Sequence, residues 1–140
     1  MNRAGAFDLL LVEPSDLLRR TVSLTVRGLG TAEVTEAATY PTAQQVCEHR
    51  RFDGAVIAVE RQASLDECKG LTLIQQIRLG QYASAASIPI AVLVESCDAE
   101  LLQLLRSYSI HRILIKPFRV RDVIDTIAAM KELARLAVSP

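Results

Sequence analysis

The chain has no tryptophan, two histidines, three cysteines and no surplus of either charge. Each scarcity closes off a class of function. Cys47, Cys68 and Cys97 are odd in number and widely spaced, with no Cys-x-x-Cys pair. That pattern suits reduced thiols in a cytoplasm better than a disulfide framework or a zinc site. His49 and His111 have no second ligand at a metal-binding spacing. Sixteen basic residues balance sixteen acidic ones, so no global field draws the chain to nucleic acid or to an anionic membrane. The longest apolar runs, such as Ile88 to Val94, fall well short of the roughly 20 residues that span a bilayer. Asp8 interrupts the N-terminal apolar stretch before a signal-peptide core can form. The expectation is a soluble, cytoplasmic protein. No Gly-x-Gly-x-x-Gly or Walker-type loop follows the first strand, which removes the usual nucleotide-binding readings.

What remains is ordinary globular material. Half of the 140 residues are hydrophobic and 23% are charged, enough for one domain with a real core. Short apolar runs alternate with longer amphipathic ones, the signature of a parallel sheet covered on both faces. Strands are predicted at Leu9–Val12, Thr31–Ala37, Gly54–Val59, Ile88–Val94 and Arg112–Ile115. The second alternates polar and apolar residues, so it belongs near an edge. Helices are predicted from Ser15 or Asp16 to the Gly28/Gly30 pair, over Pro41–Arg51, Gly70–Gly80, Ala99–Ser107 and Val120–Leu136. In the first helix Leu18, Val22, Val26 and Leu29 form the apolar set, and Arg19, Arg20 and Arg27 are expected to face water. In such a doubly wound fold the crevice lies beyond the carboxyl ends of the strands. That directs attention to Glu13, Pro14, Val59, Glu60, Val94, Glu95 and Lys116.

Leu9 to Glu13 ahead of a capped helix, Phe52-Asp53 before the third strand, Gly70-Leu71, Ile88-Pro89 and Lys116-Pro117-Phe118 recur in order at consistent spacing. With these the chain resembles the receiver domain of bacterial response regulators, chemotaxis regulators included. The resemblance covers residues 7–137, with 138–140 a tail or the start of a linker. It implies an α/β, flavodoxin-like, doubly wound (βα)5 fold with strand order 2-1-3-4-5, and a cis peptide bond before Pro117. It also implies phosphoryl transfer to an aspartate in two-component or phosphorelay signalling. That chemistry uses a carboxylate nucleophile, an acid pair holding Mg²⁺, a hydroxyl and a lysine.

Laid on this sequence, Glu13 supplies the first acid and Lys116 the ammonium. Pro14 stands at the second acid, Ala58 at the phosphoacceptor and Val94 at the hydroxyl, so all three positions are degenerate. The leading expectation is a pseudo-receiver, not an enzyme, that works by protein–protein interaction, with no cofactor and with Mg²⁺ binding absent or weak. Lys116 is expected to turn towards Glu13 or Glu60. Two alternatives stand beside it: an atypical phosphoacceptor using Glu60 or the loop acid Asp66, and a domain binding an anionic small ligand. Expected partners are a histidine kinase, an output domain or another regulator, with a homodimer possible, and no membrane. Arg106, Arg112, Arg119 and Arg121 share their segments with Asp122 and Asp125, and no aromatic platform accompanies them. This mixed charge suits a protein interface better than nucleic acid.

Overall fold

Five apolar runs become five parallel strands because their backbones can pair only with each other once both faces are covered. The computed structural model describes residues 6–60 and 69–138. In chain order these form β1 (Asp8–Val12), α1 (Asp16–Leu29), β2 (Glu33–Ala37), α2 (Tyr40–His49), β3 (Gly54–Ala58), α3 (Leu71–Arg78), β4 (Ile90–Val94), α4 (Ala99–Ser107), β5 (Arg112–Ile115) and α5 (Val120–Val138). The strand order is β2-β1-β3-β4-β5, every pair parallel. This is the flavodoxin-like arrangement, with β2 at an edge as its alternating pattern requires.

The pleat divides the core in two. Leu10, Val12, Ala55, Ile57, Val92 and Val94 pack beneath α2, α3 and α4. Leu9, Leu11, Val56, Ala58, Leu93 and Leu114 pack beneath α1 and α5. All five residues of β3 and of β4 are buried, which explains why these strands read as unbroken apolar runs. Each buried Leu, Ile or Val contributes about 1.5–3 kcal/mol.

The boundaries follow local chemistry. Ser15, not Asp16, caps α1, its Oγ accepting from Leu18 N at 3.4 Å. Gly30 ends that helix at φ +67°, a left-handed conformation that glycine adopts without strain. Thr39 caps α2 and Asp98 caps α4. β2 starts two residues later than expected, since Thr31 N still donates to Val26 O and closes α1. β4 starts at Ile90 because Pro89 has no N–H to give the ladder, although its carbonyl accepts from Ala55 N at 3.1 Å. α5 runs on to Val138.

Two expectations for α1 are overturned. Leu29, grouped with the apolar set, is 66% exposed because it stands at the last residue of the helix, and Arg19 does not face water but is 7% exposed. The hydrophobic period assigns its side to the core, and the core end of α1 offers it acceptors. Arg20 and Arg27 are exposed, as expected.

Candidate functional site

Beyond the carboxyl ends of β1, β3, β4 and β5 lies a cleft of about 350 Å³, lined by Glu13, Ala58, Val59, Glu60, Leu93, Glu95, Ser96 and Lys116. Sheet pairing continued past the strand ends holds its walls. Glu13 N donates to Ala37 O (3.1 Å), Val59 N to Leu93 O (2.9 Å) and Lys116 N to Val94 O (2.8 Å). The Lys116–Pro117 peptide bond is cis.

Glu13 is 2% exposed. Its Oε2 accepts from Ser15 N at 2.7 Å, a local bond that turns the carboxylate back over the start of α1. Its Oε1 has no hydrogen-bond partner but lies 3.8 Å from Lys116 Nζ. Lys116 Nζ is also 3.8 Å from Glu95 Oε1, on a side chain 85% exposed. The lysine thus spans the cleft between a buried and an exposed carboxylate. The Glu13 contact matches the sequence expectation; the Glu95 contact adds to it.

The floor is apolar. Ala58, paired with Leu93 across β3 and β4, presents a methyl group and is buried. Its carbonyl accepts from Tyr40 Oη at 2.6 Å, and Gly70, at φ +87°, passes so close that a Cβ there would sit 2.5 Å from the same oxygen. Val94, one residue beyond Leu93, points to the opposite side of the sheet and packs in the half-core beneath α2, α3 and α4. Pro14 is half-buried and brings no polar side-chain atom. Glu60 lines the cleft and forms an isolated antiparallel bridge with Lys69 across the loop. Asp66 and Cys68 lie outside the described residues.

Two contributors were not singled out from sequence. Ser96 brings a hydroxyl to the cleft wall two residues past Val94. Arg19 braces the cleft from below: Nη1 donates to Glu13 O (3.0 Å), Nη2 to Asp16 Oδ1 (2.7 Å) and Nε to Glu36 Oε1 (3.3 Å). The usable signal for Arg19 was its position in register with Val22 and Val26. Among the described residues no group of three or more His, Cys, Asp or Glu could hold a metal ion. Nor is any helix long and apolar enough to cross a membrane.

The charged segments around β5 lie at the other edge of the sheet. Arg106, Arg112, Arg119 and Arg121 are exposed. Arg112 Nη1 donates to Thr126 Oγ1 (3.3 Å), Asp122 accepts from Arg119 N (3.0 Å), and Arg121 lies 3.9 Å from Asp125. Ile115, half exposed, sits among them. The one ion pair among these four arginines, Arg121 with Asp125, is long and exposed, and Arg112 bonds a neutral hydroxyl, so the segments keep an exposed mixed charge among the described residues.

No family model matches the chain, and no curated protein matches it. Solved structures do. A CheY-like response regulator receiver domain protein from Methanospirillum hungatei JF-1 superposes with a TM-score of 0.79 at 14% identity, over 94% of this chain and 98% of that one. The chemotaxis response regulator CheY4 of Vibrio cholerae gives 0.73 at 25% identity, over 89% and 98%. The signal receiver domain of an HD domain-containing protein from Pseudomonas fluorescens Pf-5 gives 0.75 at 20% identity, over 94% and 98%. Strand order, helix placement and these likenesses agree that the chain has the fold of a response-regulator receiver domain.

Proposed function

We propose that this domain is a pseudo-receiver, acting in two-component-type signalling through protein–protein contacts and without aspartyl phosphorylation. The observation that carries the reading is Ala58 at the carboxyl end of β3, on the floor of the cleft that Glu13 and Lys116 frame. A methyl group cannot attack a phosphoryl donor. The donor set also fits Mg²⁺ poorly. Glu13 has one oxygen on Ser15 N and the other facing an ammonium, while Pro14 and Ala58 add no ligand where a hard cation needs several oxygens. The internal Lys116 pairs stand where a phosphoryl group would otherwise recruit the lysine, so the shape change that phosphate drives in a receiver has no trigger here.

Three carboxylates (Glu13, Glu60, Glu95) face one ammonium across the cleft, which disfavours an anionic ligand. The contact surface is instead assigned to α4, β5 and α5. Ile115 supplies exposed apolar area there, and the surrounding charges set orientation more than affinity. The partner class is a kinase, an output domain or another regulator; the similar receiver from the HD domain-containing protein illustrates the output case.

The test is direct. Incubation with a small-molecule phosphodonor and Mg²⁺ should leave the intact mass unchanged, and a Mg²⁺ titration should show no saturable signal that Glu13→Gln removes. An acid-labile phosphate mapped to Glu60 or Asp66 would overturn the reading.

A further inference from the structure

A groove lies at the other end of the sheet from the cleft, where Ile88 and Pro89 lead into β4 and His111 leads into β5. Its volume is about 580 Å³, within the range of small-molecule sites. One side is apolar, made by Ile88 and Pro89 together with Leu133 and Ala134 near the end of α5. Leu133 is 46% exposed, an apolar side chain left open to water at the rim.

The other side is cationic. Arg78, in the last turn of α3, is half-buried. Its Nε donates to Tyr108 O and its Nη1 to Ala86 O and Ile88 O, each at 2.7 Å, while Nη2 reaches Ser109 O at 3.3 Å. Ser109 holds a left-handed backbone there, φ +56°, a strain of the kind that collects at ligand sites. These acceptors are neutral carbonyls. They satisfy N–H groups but leave the charge unbalanced, and one Nη2 N–H stays unused. Burial pulls the guanidinium below its ordinary pKa, with no carboxylate to offset the loss. A partly buried cation without a counter-charge is costly to keep. None of the described residues lining the groove is acidic, and Glu132, beside Leu133 in sequence, is held by Arg135. His111 adds an exposed imidazole to the same side.

We infer that this groove binds a small amphiphilic carboxylate, its apolar body lying along Ile88, Pro89, Leu133 and Ala134 and its head group at Arg78 and His111. A carboxylate supplies the missing counter-charge and accepts the unused Nη2 N–H, and charge-assisted bonds of this kind are the strong ones. The bound ligand ties the end of α5 to the turns that precede β4 and β5. The site is separate from the cleft of Glu13 and Lys116, so it stands whether or not the domain accepts phosphate.

Octanoate is the probe, with octanol and octylamine as its neutral and cationic counterparts, each titrated calorimetrically into the whole chain. Octanoate should bind saturably, and at least about tenfold tighter than either counterpart. In NMR spectra the amide signals of Ser87, Ser109, His111 and Ala134 should shift on binding, while those of Glu13, Ala58 and Lys116 stay in place. Leu133→Gln should weaken octanoate at least about fivefold, with the melting midpoint held within about 2 °C because that side chain is half-exposed. Leu133→Glu should abolish binding, since a carboxylate carried by the chain then takes the place of the ligand's. Arg78 is left intact because it also braces four carbonyls. No saturable octanoate binding, equal binding of the three probes, shifts confined to the cleft, or full binding by Leu133→Gln overturns the inference. So does retention on phosphatidylglycerol vesicles that Leu133→Gln abolishes and octanoate does not displace, since the occupant is then a membrane surface.

Discussion

Removing the Arg19 guanidinium tests how the cleft is held. Arg19→Met keeps the aliphatic stem that packs beside Val22 and Val26 and deletes only the donors. Three contacts go: the Glu13 carbonyl at 3.0 Å, Glu36 at 3.3 Å and Asp16 at 2.7 Å. Asp16 has a side chain 73% exposed and can turn to water, so its pair counts for little. The weight falls on the Glu13 carbonyl and on Glu36, which is only partly accessible. The buried bond to the Glu13 carbonyl, which involves a charged group, is worth about 1.5–3 kcal/mol, and the longer, partly solvent-screened Glu36 pair about 0.5–1 kcal/mol, so the variant should lose about 2–4 kcal/mol. In a domain of this size that lowers the melting midpoint by about 10 °C. Urea and thermal denaturation read the loss, with Arg20→Met, an exposed neighbour, as control. pH adds a signature. The hydrogen bond from Arg19, reinforced by its charge, holds the Asp16 carboxyl below its ordinary range. A carboxyl depressed in the native state contributes stability that is present above its unfolded value, about 3.9, and lost as pH falls through the native value. The gap between wild type and Arg19→Met should therefore narrow below about pH 4. A variant within about 0.5 kcal/mol of the Arg20→Met control at neutral pH would refute the bracing role.

Three further outcomes are expected. Gly70→Ala places a Cβ 2.5 Å from the Ala58 carbonyl at a backbone φ of +87° and should cost at least about 2 kcal/mol in urea denaturation; Gly28→Ala, in open space within α1, should instead stabilise by about 0.5–1 kcal/mol. Burial pushes the Cys47 thiol up to about 11. Native Cys47 should then resist alkylation at pH 8 and react only on unfolding; labelling of Cys47 in the native protein, mapped by peptide mass, would contradict its burial. Reversing the charge of Arg119 and Arg121 together should weaken association seen by sedimentation or pull-down, while Lys116→Ala should not. The swapped result would move the working surface to the cleft.

The architecture was legible in the chain because burial on both faces leaves a periodic trace. β3 and β4 are continuous apolar runs since helices cover both sides, and β2 alternates since it lies at an edge. The cap of α1 was legible for the same local reason, since Ser15 needs only a backbone N–H within one turn, whereas Thr39 starts α2 one residue ahead of the expected Pro41. The cleft could be anticipated as a set of positions, because every parallel strand of this topology points its carboxyl end the same way. Which atoms meet there was decided by the tertiary fold. Lys116 lies about a hundred residues from Glu13 in sequence, and its pairing with Glu13 and Glu95 depends on β1, β4 and β5 being brought to one rim. Arg19 shows the limit most clearly. Its register with Val22 and Val26 puts it on the core side of α1, yet its charge assigns it to water, because sequence shows hydrophobicity and not acceptors. Only when β2 brings Glu36 alongside α1, and the end of β1 turns the Glu13 carbonyl towards it, does a buried guanidinium find partners that offset its loss of water.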